Sequence, residues 1–286
     1  MLTWRQRLIP YMLGLPSSFW LTVFFAIPMI SVLSVSLMTG NPEQGFSLTW
    51  HFGTFWDALR TYHTQFLRSF EYGAISTVAA LVIGYPIAYF IAFRGGRHKS
   101  TLLFIILLPF LVSYVIRMLA WNFLLADQGA ILGTLKNIGI LPQSARVLST
   151  PFAVITGLTY DAIPYMVLPV YVALEKIDRR VIRAANDLYA SPRGAFMRIV
   201  LPLSSAGIFA GFLLVFVTNV GDYVAATILG GPGTTMVGNV IESSYLEDLN
   251  YPMAAALSSI LMIVLLVVIF LYARTFGTEA VEEAVT

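Results

Sequence analysis

Three ionisable residues stand inside long apolar runs of this chain: Arg117, Asp161 and Asp222. Each has an aromatic neighbour. Trp121 lies one helical turn beyond Arg117, Tyr160 precedes Asp161, and Tyr223 follows Asp222. A charge in apolar surroundings is costly unless paired, so such residues are functional candidates by default. Two arrangements are open. Arg117 pairs with one aspartate as a buried bridge, or the carboxylates and aromatic faces line a path for a cation. An aromatic face attracts a cation by about 0.5–2 kcal/mol, depending on desolvation. Asp161 falls near the middle of its run. Asp222 falls about 18 residues into its own, roughly 27 Å along a straight helix, so the two are expected at different depths. Glu71 sits at the edge of a run, where it can face headgroups.

Other chemistry finds no residues to carry it. His51, His63 and His98 are scattered without ligand spacing, and there is no cysteine, so no metal site is read. No nucleophile–base constellation is visible. The Gly-rich stretch LGGPGT, Leu229 to Thr234, lacks the lysine of a phosphate-binding loop and reads as a turn.

Composition sets the class. The chain of 286 residues is 58% hydrophobic and 11% charged, with mean hydropathy +0.79. A soluble domain carries roughly 25% charged residues. The net charge is only +2, which gives no reason to expect a nucleic-acid partner. A span needs about 20 mostly apolar residues. Runs of that kind lie near residues 16–38, 71–93, 101–125, 150–173, 204–229 and 253–272. The expectation is an all-α integral membrane protein with six transmembrane helices in a single membrane-spanning domain.

Lys and Arg residues orient it. One side carries Arg5, Arg7, Arg94, Arg97, Lys99, Lys176, Arg179, Arg180, Arg183, Arg193, Arg198 and Arg274; the other carries Arg60, Arg68, Lys136 and Arg146. Twelve against four places both termini on the cytoplasmic side. A cleaved signal peptide is the competing reading of the first run, with a basic start and the triplet Ser34, Val35, Ser36. Its apolar run is longer than a typical signal core. Pro28, Gly84, Pro86, Pro109, Gly157, Pro164 and Pro169 lie inside the runs. Either this is ordinary membrane-helix composition, or bent helices around Pro109 and Pro164 frame a translocation path.

The cytoplasmic segment 174–202 is helix-prone and basic. Ile177, Val181, Ala184 and Leu188 form one apolar stripe at helical spacing, and Arg183 can pair with Asp187 one turn on. Ser191 and Pro192 mark a new helix, as cap and first residue. The segment reads as helix, sharp turn, helix. Its stripe lies on the membrane surface or docks into a cytoplasmic partner.

The stretch RAANDLYASPRGAFMRIVLP, residues 183–202, resembles the EAA loop of permease subunits of ATP-binding cassette (ABC) importers. Ala184 and Ala185 match the alanines of that pattern, Ile199 its isoleucine, and Leu201 and Pro202 its end. Arg183 stands where Glu is usual and Tyr189 where Gly is usual. FLVSYVIRMLAWNFLLADQGAIL (110–132), YDAIPYMVLPVYVALEKID (160–178), GDYVAATILGGPGT (221–234), MVGNVI (236–241) and YPMAAALS (251–258) are similar to spermidine/putrescine-type permeases. Permeases for iron, thiamine and opine-like solutes share much of this pattern.

The resemblance implies a type I ABC importer permease fold in a bacterial inner membrane. Its implied partners are a second permease, two ATP-binding subunits holding ATP and magnesium, an extracytoplasmic solute-binding protein and membrane lipid. No cofactor would be bound by this chain. The coupling loop would use Arg183, Ala184, Ala185, Asp187, Leu188, Tyr189, Ala190, Ser191, Gly194, Ile199, Leu201 and Pro202. The candidate path residues are Trp121, Tyr160, Asp161, Asp222 and Tyr223. A secondary transporter or channel is the alternative class, but no internal repeat is visible, and such a protein needs no docking hairpin. Reporter fusions after Ser100 and Ser191 are expected to report cytoplasm; a periplasmic signal at either site would refute the charge-based orientation.

Overall fold

The computed structural model describes residues 14–285, with side chains except those of Asn186 and residues 275–285. Arg5 and Arg7, counted in the charge bias, lie outside this range, as do both chain ends. The chain divides into two compact units. One comprises the chain up to His63 with Val240–Val264, the other Thr64–Asn239 with the chain from Leu265.

The first unit opens with helix α1, Gly14–Ser36, which contains a π-helical turn at Thr22–Ala26. Its apolar surface is uncovered by the chain: Phe19, Trp20, Phe24 and Phe25 are all exposed. The hydroxyls of Thr22, Ser31 and Ser34 donate to carbonyls four residues back at 2.8, 2.9 and 2.9 Å. A lipid-facing polar group has to find its partner in its own helix. A short antiparallel hairpin follows, β1 (Met38–Asn41) and β2 (Gly45–Leu48), in register Met38 to Leu48 and Asn41 to Gly45. It departs from the wholly helical expectation. Gly45, at φ 82°, and the Asn41 Oδ1 that accepts from Gln44 N at 2.7 Å shape its turn. Phe46 and Tyr245 both meet the Tyr251 ring, with centroids 5.3 and 5.0 Å away.

Helix α2 runs Gly53–Arg94 with a non-helical residue at Tyr62. Beyond it lie α3 (Gly96–Leu111), α4 (Tyr114–Leu125), α5 (Leu132–Asn137), α6 (Pro151–Glu175) and α7 (Arg179–Asp187). The remainder are α8 (Pro192–Leu203), α9 (Ser205–Val220), α10 (Val224–Leu229), α11 (Val237–Leu246) and α12 (Tyr251–Val285). Among the described residues, four helices are long and apolar enough to cross a membrane. The count reaches six if each of two bent pairs, α3 with α4 and α8 with α9, is one span.

One bend lies just after Pro109, as expected; the other lies at Ser204 and not at Pro164. α3 and α4 meet at 89°, α8 and α9 at 62°. Pro109 opens a 3-10 turn, after which Val112 and Ser113 are extended, with ψ of 140° and 139°. α6, by contrast, runs unbroken through Pro164 and Pro169, so Pro164 does not bend its span. Neighbour packing tolerates these prolines: Gly211 of α9 leaves room for the Pro169 ring, where a Cβ would lie 3.1 Å from its Cγ.

The α6–α9 contact is the centre of the second unit. Ala162, Met166, Val167 and Val170 of α6 are buried with Val215 of α9 and Ala80, Ala88 and Ile91 of α2. Between membrane helices such contacts hold by close van der Waals packing, which small residues at the interface permit. A second cluster joins Met118 and Leu125 of α4 to Val154 and Leu158 of α6 and to Ala225 and Leu229 of α10. Between α6 and α9 the tightest glycine approach is at Gly207: a Cβ there would lie 2.5 Å from Ala173 Cβ and from the Pro169 carbonyl oxygen. Gly207→Ala is therefore expected to destabilise the protein by about 1–3 kcal/mol. A thermal unfolding scan in detergent checks this; an unchanged midpoint would mean that the helices part without cost.

Candidate functional site

The extended pair Val112 and Ser113 gives α4 a direction independent of α3. One face of α4 then presents Tyr114, Arg117 and Trp121, spaced three and four residues apart as neighbours on a helix surface are. Arg117 is 9% exposed, and its Nη1 lies 2.7 Å from Asp161 Oδ1 on α6. The guanidinium carbon sits 4.5 Å from the Phe110 ring centre and 5.6 Å from that of Tyr114. The ion pair is close but misaligned for hydrogen bonding. Arg117 Nε and Nη1 and Asp161 Oδ1 have no hydrogen-bond partner in the chain. Of the two sequence-level arrangements, the structure therefore contains the Arg117–aspartate contact, and Asp161 is the partner.

Asp222 is held differently. It lies in the break between α9 and α10, where Oδ2 accepts from the Tyr114 hydroxyl at 2.6 Å and Oδ1 from Ala225 N at 2.8 Å. It thus satisfies an otherwise unpaired donor in the first turn of α10. Both carboxylates come within electrostatic reach of the Tyr114 hydroxyl. Straight-helix counting placed Asp161 and Asp222 apart. Tyr114 nevertheless joins them in one group, since it donates to Asp222 and stands one helical turn before Arg117, the partner of Asp161; α9 ends at Val220, short of the expected residue 229.

The rings complete the group. Trp121 meets Tyr160 edge-on with centroids 5.4 Å apart, and Phe110 meets Tyr165 at 4.8 Å. Tyr223 is 43% exposed, and it is its backbone carbonyl that is engaged, accepting from Asn239 Nδ2 at 2.9 Å. The sequence reading missed Phe110, Tyr114 and Tyr165. Tyr114 was findable: it stands three residues before Arg117, on the same helical face.

At the other end of α6 lies the basic hairpin. α7 ends in a left-handed turn. Ala190 N donates back to Ala185 O at 3.0 Å, and Tyr189 between them has φ 61°. This is the Schellman closure, whose left-handed residue is usually glycine. The position where the EAA pattern has Gly is thus one that demands it on backbone grounds, and Tyr189 adopts the same conformation at a cost of about 1–2 kcal/mol. One residue after Ala190, Ser191 Oγ accepts from Gly194 N at 3.1 Å and Pro192 begins α8.

The apolar stripe is split. Ile177 precedes α7 and joins the core, where Ile182 also packs, whereas Val181, Ala184 and Leu188 are exposed. Leu188 and Tyr189 are 81% and 99% exposed. No ion pair joins Arg183 to Asp187 among the described residues. Ala185 and Ala190 are half-buried, as are Gly194 and Ile199; Leu201 packs on the core, and Pro202 is exposed.

The base of the hairpin is braced. Arg179 Nη2 donates to Ala92 O at 2.9 Å, near the end of α2, and its guanidinium lies 5.8 Å from the Phe93 ring centre. Lys99 Nζ reaches both oxygens of Glu175 at 2.6 Å. Tyr85 and Tyr89 of α2 hold Phe196 edge-on, both with centroids at 5.8 Å.

This architecture has relatives. Residues 84–276 match the family of binding-protein-dependent transport system inner membrane components. The chain is 36% identical over 256 residues to the spermidine/putrescine transport system permease protein PotB of Haemophilus influenzae, covering 89% of this chain and 90% of that one. It is 33% identical over 256 residues to PotB of Escherichia coli, covering 89% and 93%. In fold it is similar to a chain of a bacterial ABC transporter involved in import of the acidic polysaccharide alginate. There the TM-score is 0.64 at 20% identity, covering 96% of each chain. The chain belongs to the inner membrane components of binding-protein-dependent transport systems, the permease subunits of ABC importers.

Proposed function

We propose that the chain carries polyamines of the spermidine and putrescine type across the inner membrane. The observation that carries this reading is the charge balance of the α4–α6–α10 group. Two carboxylates face one guanidinium, inside an aromatic frame, at a break in one span and at the end of another. The formal excess is one negative charge. An ammonium group entering there meets Asp161, with Trp121 and Tyr160 close by, in surroundings where unpaired cations are otherwise excluded. The likeness to the spermidine/putrescine permeases supports the same substrate class.

In this reading the two bent pairs each count as one span, giving six with both termini inside. A second permease completes the path, an extracytoplasmic binding protein delivers the solute, and two ATP-binding subunits dock on the hairpins from the cytoplasm. ATP and magnesium sit on those subunits. What this chain contributes is a rigid exposed turn, Leu188 and Tyr189, on a basic helix braced to α2. Uptake of radiolabelled spermidine by the reconstituted complex, competed with other amines and with unrelated solutes, tests the substrate. Competition by iron chelates or thiamine but not by amines would replace the proposal with a different solute class.

Two results are expected from variants. Ala185→Glu puts a charge on the half-buried side of α7 and should abolish solute-stimulated ATP hydrolysis while the permease still inserts. Tyr189→Gly should relax the left-handed turn by about 1 kcal/mol and retain stimulated hydrolysis. Normal stimulation in Ala185→Glu would leave the hairpin on the membrane surface instead.

The two aspartates should also separate. Asp222→Asn keeps an acceptor for Ala225 N but weakens the bond from Tyr114, and hydrogen bonds to a charged group contribute about 1.5–3 kcal/mol. Its main effect should be less folded protein. Asp161→Asn should chiefly reduce uptake per folded complex. Quantifying uptake against the amount of folded permease checks both; equal losses in both variants on that normalised scale would contradict the division of roles.

A further inference from the structure

We infer that Arg117 is a built-in competitor for the transported amine: its guanidinium occupies, on Asp161, the place an ammonium group takes during passage. The inference rests on the polyamine reading above and assigns to Arg117 a role in admitting the substrate.

The first argument is geometric. This chain makes a well-formed bridge where it needs a brace: Lys99 reaches both oxygens of Glu175 at 2.6 Å. It also satisfies a carboxylate fully where it needs a cap, as Asp222 is by Tyr114 and Ala225 N. Arg117 and Asp161 do neither. They approach to 2.7 Å, yet two guanidinium nitrogens and the carboxylate oxygen lack hydrogen bonds, although Arg117 is more than nine-tenths buried. Arginine is suited to planar, two-pronged pairing with a carboxylate. A buried arginine denied that pairing is held by charge and by the Phe110 and Tyr114 rings. Such an attraction is non-directional and can be taken over by another cation.

The second argument is chemical. A carboxylate flanked by aromatic rings is the environment a primary ammonium requires when it leaves water. An ammonium with three donors can use the Asp161 oxygen that the guanidinium leaves without a hydrogen bond. With Asp222 nearby, the group tolerates one more positive charge before it becomes net cationic. Arg117 need not leave the site, because its rings still hold it as Asp161 is surrendered.

The third is positional. The pair links α4 to α6, and α4 begins immediately after the 89° break at Val112 and Ser113. Replacing the tethered cation by a free one removes a link between a bent segment and a straight one. Arrival of substrate would thereby loosen α4, and the resting pair would keep the path shut to lone small cations. A resident competitor also weakens net binding of the amine, which favours release.

The test is direct binding of radiolabelled spermidine to the purified complex in nanodiscs without the binding protein, so that the affinity read is that of the membrane site. If Arg117 leaves Asp161 free about a tenth of the time, Arg117→Gln should tighten binding about tenfold, and Arg117→Gln/Asp161→Asn should abolish it. ATP hydrolysis without amine should rise in Arg117→Gln. Equal or weaker binding by folded Arg117→Gln overturns the inference, as does absence of binding in both wild type and variant. If Arg117→Gln fails to assemble, Arg117→Lys takes its place, since the shorter reach makes a weaker competitor. Tighter binding there supports the inference, whereas unchanged binding, or failure of both variants to fold, makes the pair a structural bridge and refutes it. A wild-type complex that, supplied with its binding protein, takes up other solutes but no spermidine refutes the substrate reading itself.

Discussion

The close contact between Arg117 and Asp161 joins the bent pair α3–α4 to the straight helix α6. Two charges so little exposed are costly to bury, and in a membrane there is little water to retreat to. The chain meets that cost with rings 4.5 and 5.6 Å from the guanidinium and with small residues that let helices approach. Gly157 on α6 lies against Leu229 of α10 and Met118 of α4, one residue beyond Arg117. A larger side chain there would push α4 from α6 and pull the ion pair apart. The packing beneath the pair is thus part of its electrostatics.

Breaking helices at membrane depth exposes backbone groups that must be satisfied locally. Side chains do this around α10 and at the start of α11. Asp222 takes Ala225 N, Asn239 takes Met236 N at 2.9 Å, and Ser69 takes Val237 N at 2.8 Å. Asn239 also donates to Tyr223 O and Thr227 Oγ1, at 2.9 and 2.8 Å. Asn122 of α4 donates to Ile228 O at 2.7 Å, at the far end of α10. The residues around α10 therefore belong to one hydrogen-bonded frame, which keeps Asp222 in place as Tyr114's acceptor. At the other bend, Ser204 shares a 2.9 Å hydrogen bond with Tyr85. The bend at Ser204 is thus tied to α2.

Apolar runs and turn chemistry were legible before folding. The first, fourth and last runs became the helices Gly14–Ser36, Pro151–Glu175 and the apolar part of α12 to within a few residues. Ser191 and Pro192 began a helix because a cap and a first-turn proline act through local backbone geometry alone. What depends on neighbours was not legible. Pro164 and Pro169 look like kinks in sequence, but α6 runs through both, with Gly207 and Gly211 across the interface leaving room beside Pro169. Ile177 fits the stripe of α7 by spacing but lies outside that helix. The sequence singled out Arg117, Asp161 and Asp222 as anomalies of charge. It did not reveal that Tyr114 joins them, since a tyrosine in an apolar run is no anomaly.

Helix α6 gives these parts a mechanical order. Glu175, its last residue, is clamped by Lys99 at the foot of α3, and the adjoining Arg179 ties α7 to the end of α2. Asp161 stands 14 residues earlier on the same helix, roughly 21 Å away at 1.5 Å per residue. A continuous helix with a buried face moves as a body, so displacement at the hairpin reaches Asp161 with little loss. Coupling between distant sites requires an element with two discrete arrangements, not merely a chain of contacts. The extended pair Val112 and Ser113 is the element suited to that role. Two residues in extended conformation, joined to the helices only by Val112 N to Pro109 O and Arg117 N to Ser113 O, both at 3.1 Å, absorb a change of angle more cheaply than a packed helix does. α6 is therefore the rigid member and the α3–α4 break the compliant one, with Arg117 and Asp161 at the point where they meet.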